Sequence, residues 1–377
     1  RHGFRFRLGS DSRWDWGGTA MPKLGNPLYF SPTTKTHSQL HSSVCMTTDS
    51  RHYWGIDIGG TSIKCGLVNS GGETVAFEQV PTLEAEGPQA AVDRLATMIR
   101  EVETRTKTIG NVPRIGMGAP GPMDLPRGML VAPPQLPSWW EFPLCQKLTE
   151  ATGRPISFLN DANAAAYGEF WLGSGAQGSS MILLTLGTGV GGGIIVEDQL
   201  VNGVNSFGSE CGHIIVDPSP DAQLCAWGGG RGQLEAYASA SGVVMRTRHR
   251  LAEYPKSLLR PFLGENSSQL TAKRIWEAAT EGDDFANLII DETAHWLGIG
   301  VTNLVHTLDP GHVALGGAMN FGGSECEIGR RFLAGVTEEF RQRTFPNVFE
   351  GTTISFATLG HEAGYLGAAG YARKQDS

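Results

Sequence analysis

An aspartate stands in a strand that should be buried. In the stretch WGIDIGGTSIKCG, apolar residues alternate along a strand that carries Asp57 on its other face. Burying an unpaired carboxylate costs several kcal/mol, so a cation should compensate Asp57. Lys64 could balance it, and so could a hydrated Mg²⁺ ion that also neutralises a phosphate. The stretch therefore predicts a metal–nucleotide site.

A turn of glycine and threonine follows this strand and recurs later in the chain. Gly59-Gly60-Thr61 closes the first strand–turn–strand unit, and Gly187-Thr188-Gly189 closes a second one in LTLGTGVGGGII. Amide groups in a tight turn form a concave donor site for anions, so two matched turns could hold the phosphates of one ligand. The sequence contains no G-x-x-x-x-G-K-[ST] pattern of a P-loop, and the first turn does not match G-x-G-x-x-G.

A second carboxylate lies where an apolar strand runs into a helix. In PISFLNDANAAAYGEFWLG, the polar residues Asn160, Asp161 and Asn163 begin the helical stretch. Asn and Asp are preferred helix caps, and this structural interpretation stays open. The sequence has no capping-box Glu or Gln after Asp161, and ligands bind at strand ends in α/β domains. With an ordinary pKa of about 4, Asp161 could accept a proton from a substrate hydroxyl at neutral pH.

The elements that must position these residues form a duplication. The first unit is an antiparallel meander of three strands, followed by a helix with an apolar stripe from Ala91 to Val102. The strand–turn–strand pattern returns after residue 180, which implies two similar α/β domains facing each other across a cleft. We expect a smaller N-terminal domain of residues 51–160 plus 361–377, and a larger C-terminal domain of residues 161–360.

Composition narrows the class of protein. The 377 residues are 40% hydrophobic, and no apolar run approaches the roughly 18 residues of a membrane span. A formal net charge of −8 argues against a nucleic-acid or membrane-surface binder. The six cysteines have no disulfide rhythm and no secretory signal is recognisable, so we expect a cytoplasmic protein. Residues 1–50 are rich in turn formers and read as a disordered extension, with Met46 as an alternative start.

Eight stretches, in this order and spacing, resemble the ROK family of sugar kinases from about Tyr53 to Ala372. They are GIDIGGTSIKCGLV, GMGAPGPMD, FLNDANAAAYGE, LTLGTGVGGGII, SECGH, LEAYAS, LDPGHVALGG and LGHEAGYLGAAGYA. The resemblance implies two actin-like, ribonuclease H-like ATPase domains with ATP and a hexose in the cleft between them. The implied reaction is that of a glucokinase, which uses ATP and Mg²⁺ to phosphorylate the 6-hydroxyl of glucose. ROK proteins are commonly dimers, so a homodimer is expected.

By the same resemblance, Asp161 is the general base and five residues bind the sugar: Asn160, Glu210, His213, Glu235 and Gln135. Family members often have Asn where this chain has Gln135, which is one methylene longer, so the sugar preference could differ. Taken singly, the two glutamates would be solvated charges and the histidine a structural residue. The nucleotide side would be formed by Asp57, Gly59, Gly60, Thr61, Lys64, Gly187, Thr188, Gly189, Gly316 and Gly317.

Many ROK proteins bind a structural zinc ion through three cysteines and the histidine of the G-H pair. The corresponding cysteine positions hold Ala226, Gly228 and Gln233 in this chain. Cys225 lies one residue away from the first of them. Structural zinc needs four Cys or His ligands, so we expect no zinc site. The loop would then be held by packing of Trp227 and by glycine turns, and the histidine would lose the constraint of the metal.

Three alternatives stay open. The chain could phosphorylate another hexose, namely N-acetylmannosamine, N-acetylglucosamine, fructose or allose, because the pocket residues do not separate these sugars. It could be a ROK-type regulator that binds sugar without turnover, although residues 1–50 offer no helix-turn-helix. It could be an actin-like or chaperone-type ATPase, in which the sugar-pocket residues would have no purpose. The phosphate donor, ATP or polyphosphate, is also open.

Overall fold

The computed structural model describes residues 50–176 and 178–377, which form a mixture of strands and helices. The strands are β1 (His52–Ile58), β2 (Ser62–Asn69), β3 (Thr74–Pro81), β4 (Ile115–Ala119), β5 (Met123–Asp124), β6 (Met129–Leu130), β7 (Ile156–Asn160), β8 (Met181–Leu186), β9 (Val190–Val196), β10 (Gln199–Leu200), β11 (His312–Gly316) and β12 (Thr353–Phe356). The helices are α1 (Pro88–Thr106), α2 (Leu144–Thr152), α3 (Asp161–Leu172), α4 (Leu234–Ala238), α5 (Ala240–Arg250), α6 (Ala272–Thr280), α7 (Asp284–Leu308), α8 (Glu327–Arg343), α9 (Pro346–Gly351) and α10 (Ala363–Asp376). The predicted disordered extension lies outside the described residues, apart from Ser50.

The two halves of the chain contain sheets of the same design. The first has the strand order β3-β2-β1-β4-β7, and the second has the order β10-β9-β8-β11-β12. In each sheet the first three strands are antiparallel and the last two join in parallel. The turn at Gly59–Thr61 joins β1 to β2, and the turn at Gly187–Gly189 joins β8 to β9. The structure thus confirms the predicted duplication of an α/β unit.

The apolar face of α1 packs against the first sheet. All six residues of the predicted helical stripe are buried: Ala91, Val92, Leu95, Met98, Ile99 and Val102. They pack with Trp54, Ile56 and Ile58, which alternation placed on one face of β1. Full burial of each large apolar side chain contributes about 1.5–3 kcal/mol, so this layer holds the strand that carries Asp57 in place.

Helix α10 covers the face of the first sheet that carries Asp57. It packs against β1, β2, β4 and α3. A Cβ on Gly55 would lie 1.8 Å from the Tyr365 carbonyl oxygen, so only glycine allows this approach. A Cβ on Gly364 would lie 2.7 Å from the Asp57 carboxylate. The helix therefore returns to the first sheet, as predicted, and partly shields Asp57 from water.

The second half is built around the 25-residue helix α7. Two glycines inside this helix allow close packing. A Cβ on Gly298 would lie 2.5 Å from Glu339 Cβ, and one on Gly300 would lie 2.7 Å from a Leu234 methyl group. Helix α8 and the start of α4 can therefore approach the α7 backbone closely.

The domain boundaries, residues 51–160 plus 361–377 and residues 161–360, stay a prediction. Among the described residues, no helix is both long enough and apolar enough to cross a membrane.

Candidate active site

A cavity of about 760 Å³ is lined by residues from both sheets. It brings together most of the predicted site residues: Asp57, Lys64, Gln135, Asn160, Asp161, Gly187, Thr188, Gly189, Glu210, His213, Glu235, Gly316 and Gly317. The described lining does not include the first glycine turn. That turn lies against Gln135, since a Cβ on Gly60 would be 3.4 Å from the Gln135 side chain. A phosphate role for Gly59, Gly60 and Thr61 stays a prediction.

The helix cap and the candidate base are neighbours at the end of β7. Asn160 is the N-cap of α3, and its side-chain oxygen accepts a hydrogen bond from the Ala162 N–H at 3.0 Å. Asp161 Oδ1 accepts from the same N–H at 2.8 Å. The capping interpretation is therefore confirmed for Asn160, and it coexists with a place in the cavity. The cap uses one lone pair of the Asn160 oxygen, and the amide hydrogens of Asn160 are available to a ligand.

Burial changes the acidity of Asp161. Its side chain is exposed to the cavity, and protein atoms surround its carboxylate on most other sides. This desolvation raises the pKa of Asp161 to about 6; the Ala162 N–H opposes the rise, and the charges of Asp57 and Glu210 add to it. The ordinary pKa expected from the sequence is therefore wrong. With the raised value, Asp161 is a stronger base and is still mostly ionised at neutral pH.

Lys64 is the partner of Asp57 across β1 and β2. The two residues are paired in the antiparallel register, and Lys64 Nζ lies 3.9 Å from Asp57 Oδ2. Nζ also donates to the His361 carbonyl oxygen at 3.2 Å. Burial raises the pKa of Asp57 and the Lys64 charge lowers it, with a net rise. The Lys64 charge therefore does not outweigh the effect of burial on the Asp57 carboxylate.

Glu235 supports the second glycine turn. It lies in the first turn of α4, and its Oε2 accepts a hydrogen bond from the Val190 N–H at 2.9 Å. A Cβ on Gly189 would lie 2.3 Å from the same oxygen, so this contact requires glycine. The Gly187 N–H closes the turn by donating to the Gly189 carbonyl at 2.9 Å. One carboxylate oxygen of Glu235 thus serves the turn, and the other is left for a ligand.

Glu210 and His213 present two polar atoms to the cavity. His213 ends the short 3₁₀ helix Cys211–His213, and its Nε2 lies 3.6 Å from Glu210 Oε2. The other ring nitrogen, Nδ1, is 3.0 Å from Gln233 Oε1. A carboxylate beside an imidazole is a pair that suits neighbouring hydroxyl groups of one ligand.

Hydrogen bonds and a local contact of Trp227 hold the loop after His213. The Trp227 indole is 62% exposed and meets His213 edge-on, with ring centroids 6.2 Å apart. Its ring packs within the loop, since a Cβ on Gly229 would lie 1.8 Å from it, so the predicted packing of Trp227 is local and buries little of the indole. Gln233 Oε1 instead accepts from Cys225 Sγ at 3.1 Å and also contacts His213. In the part of the chain that the structure describes, no group of three or more His, Cys, Asp or Glu side chains could hold a metal ion.

Sequence reasoning missed Glu169, which follows Asp161 by two turns in α3. This side chain is fully buried and accepts five hydrogen bonds. The donors are the N–H and hydroxyl of Ser174 at 2.8 and 2.9 Å, the N–H and hydroxyl of Thr358 at 2.8 and 3.1 Å, and the Leu359 N–H at 2.6 Å. Burial opposes ionisation, but these bonds outweigh it and lower the pKa of Glu169. The sequence signals for it were an acid in an apolar helical stretch and its place at the end of FLNDANAAAYGE, one of the eight stretches that carry the family resemblance.

Comparison with known proteins relates the whole described chain to one family. The ROK family model matches residues 53–375. A glucokinase from Halalkalibacterium halodurans is 34% identical over 328 residues, which is 87% of this chain and 96% of that relative.

Two solved structures share the fold. The ROK hexokinase from Thermus thermophilus is 30% identical with a TM-score of 0.73, over 86% of this chain and 100% of that one. A ROK family glucokinase from Streptomyces griseus, solved with glucose and AMPPNP, is 32% identical with a TM-score of 0.64, over 86% of this chain and 99% of that one. The predicted fold class, two similar actin-like α/β domains with a cleft, is confirmed by these likenesses.

Proposed function

The chain belongs to the ROK family, and from that premise we propose that it transfers the γ-phosphoryl group of ATP to the 6-hydroxyl of glucose, with Asp161 as the general base. It is an ATP-dependent hexose kinase of the glucokinase type. The glucokinases to which it is similar align with this chain over nearly their whole length. One observation carries the choice of base: Asp161 faces the cavity that also holds the second glycine turn and the Glu210–His213 pair.

Phosphoryl transfer to a sugar needs positioning, charge neutralisation and a proton acceptor, but little covalent chemistry from the protein. In the proposed reaction the sugar 6-oxygen forms a bond to the γ-phosphorus as the bond from that phosphorus to ADP breaks. Asp161 takes the hydroxyl proton. Its raised pKa supports this role, because a base is most effective when its pKa lies close to the working pH.

We propose that the sugar lies among Asn160, Glu210, His213, Glu235 and Gln135. Asn160 offers its amide hydrogens, and its oxygen caps α3. The free oxygen of Glu235 and the Glu210 carboxylate accept from hydroxyl groups, and His213 faces Glu210 across 3.6 Å. These groups are uncharged or acceptor-rich, which suits a neutral polyol.

The nucleotide side is proposed to comprise both glycine turns together with Gly316 and Gly317. Amide groups of the second turn would bind phosphate oxygens, because Glu235 and the turn's own hydrogen bond hold it rigidly. Mg²⁺ fits beside Asp57, where the Lys64 charge does not outweigh the effect of burial on the carboxylate. When bound, the ion would neutralise phosphate charge, and it would take most of its ligands from ATP and water.

Three further features stay proposals. The N-terminal and C-terminal domains divide near residues 160 and 360. The protein works in the cytoplasm, which supplies ATP and keeps thiols such as those of Cys65 and Cys211 reduced. It forms a homodimer, as the family resemblance suggests.

We expect kcat/KM for glucose to fall as the pH drops through about 6. Asp161 must be ionised to accept the hydroxyl proton, and its raised pKa of about 6 in the free protein means that protonation removes the base over this range. Measuring kcat/KM for glucose from about pH 4 to pH 8 should give an acidic limb of unit slope, because this ratio reports the pKa values of the free enzyme. A limb near the ordinary aspartate value, about 4, would contradict the burial of this carboxylate or its role.

The test of the proposed function is ADP release from MgATP with a panel of sugars. The panel contains glucose, N-acetylmannosamine, N-acetylglucosamine, fructose and allose, with polyphosphate as a second donor. We expect glucose to give the highest kcat/KM with ATP. An N-acetyl sugar in first place would overturn glucose as the substrate and point to Gln135, which is one methylene longer than the usual Asn. Sugar binding by calorimetry without any ADP release would overturn the kinase and favour a sugar-responsive regulator.

A further inference from the structure

One side-chain oxygen, Gln233 Oε1, lies between two polar hydrogens near the sugar side of the cavity. It is 3.0 Å from His213 Nδ1 and 3.1 Å from Cys225 Sγ. An amide oxygen only accepts hydrogen bonds, so the proton of the imidazole must be on Nδ1. Nε2 then carries the lone pair, and it is the ring nitrogen that faces Glu210 at 3.6 Å.

The backbone holds Gln233 firmly. Gln233 is the N-cap residue of α4 and forms an antiparallel bridge with Ile215. The next residue, Leu234, is fully buried and its N–H donates to the Ile214 carbonyl at 2.9 Å. A Cβ on Gly230 would lie 2.0 Å from Gln233 Oε1, so the loop closes tightly on the amide. The fold thus holds the backbone of Gln233, and the contacts with His213, Cys225 and the Gly230 backbone hold its amide group.

From this geometry we propose that Gln233 is a positioning residue for sugar binding: it fixes the orientation and tautomer of His213, so that Nε2 accepts a hydrogen bond from a sugar hydroxyl. Glu210 Oε2 and His213 Nε2 are then two acceptors side by side, which matches two hydroxyl donors of one sugar. The hydrogen-bond partner of one imidazole nitrogen decides whether the other nitrogen donates or accepts. Here the Gln233 amide is that partner, and it leaves Nε2 of His213 as an acceptor. The inference rests on the proposed kinase activity.

The test compares two substitutions of equal length. Gln233→Met keeps the volume and removes the acceptor, and Gln233→Glu restores an acceptor. We expect Gln233→Met to raise the sugar KM by about tenfold, the loss of one hydrogen bond, with kcat and the KM for MgATP within about threefold of wild type. At pH 8, Gln233→Glu should return the sugar KM to within about threefold of wild type, because its carboxylate also accepts from Nδ1–H.

The matched control is Gln223→Met. Gln223 lies in the same loop, where its amide donates to the Ala236 carbonyl at 2.7 Å, and it does not line the cavity. Its loss should lower the unfolding temperature without raising the sugar KM. An equal rise in the sugar KM for Gln223→Met, or no rescue by Gln233→Glu, would overturn the positioning role and leave only a structural one.

No turnover by the wild type with any sugar would instead overturn the proposed function, and calorimetric sugar affinities of the same variants would still test the inference. Should Gln233→Met fail to fold, Gln233→Asn supplies the comparison, because its shorter amide cannot reach Nδ1.

Discussion

Asp161→Asn is expected to lower kcat by roughly 100-fold to 10,000-fold, the contribution of a positioned general base. The amide has nearly the same shape but a negligible affinity for the hydroxyl proton. Its oxygen can still accept from the Ala162 N–H, as Asp161 Oδ1 does at 2.8 Å, so the first turn of α3 should persist. The KM values should change little, because the loss falls on the transition state. Steady-state ADP release with glucose and MgATP measures the effect.

The control for this substitution is Asp93→Asn. Asp93 is exposed on α1, accepts a hydrogen bond from the Gln89 side chain at 2.9 Å on the same helix, and does not line the cavity. Its kcat should equal that of the wild type. Retention of more than about one tenth of kcat by Asp161→Asn would exclude Asp161 as the base, since general-base catalysis supplies at least about 100-fold. A second carboxylate in the cavity, Asp57 or Glu210, would then be examined in the same way.

Glu169→Ala is expected to lower the free energy of unfolding by about 3–5 kcal/mol, the cost of breaking a buried charged network. The carboxylate accepts five hydrogen bonds that join the end of α3 to residues 174 and 358–359. Without it, these donors lose their acceptor in a buried place. Urea unfolding followed by circular dichroism measures the change. Glu101→Ala, at an exposed position of α1, is the control and should change stability by less than about 0.5 kcal/mol.

Glu169→Gln separates the charge from the shape of this side chain. In the Gln variant the NH₂ group replaces one carboxylate oxygen and faces N–H donors, with which it cannot form hydrogen bonds. We therefore expect the free energy of unfolding to fall by about 1–3 kcal/mol at neutral pH. The pKa of Glu169 is lowered in the folded protein, so its stabilisation is present above the unfolded value of about 4.3 and is lost as the pH falls through the folded value. The difference between wild type and Glu169→Gln should therefore narrow in acid. A difference that does not depend on pH would show that the charge is unimportant.

Local pattern predicted most of the fold. Alternation in β1, the apolar stripe of α1 and the repeated glycine turns each depend on residues within a few positions of one another, and the structure confirms all three. The site residues could be predicted because strand ends and helix starts bring particular residue types to one edge of a sheet. Asn160 shows the limit of this reasoning: capping and binding were treated as alternatives, and the structure allows both.

What the sequence alone determined was the pair of α/β units and the residue types facing the cleft, since hydrophobic period and turn residues act over short distances. The chemical state of those residues, in contrast, depends on the tertiary structure. The raised pKa of Asp161 depends on the protein around the cavity and on Asp57, 104 positions earlier in the chain. Glu169 accepts a hydrogen bond from Thr358, which lies 189 positions away in the sequence. His213 contacts Gln233, which lies 20 positions away. Both contacts form only when the chain folds. The energies of such charge interactions and hydrogen bonds change when the atoms move by a few ångströms. A local sequence pattern does not specify distances between residues far apart in the chain.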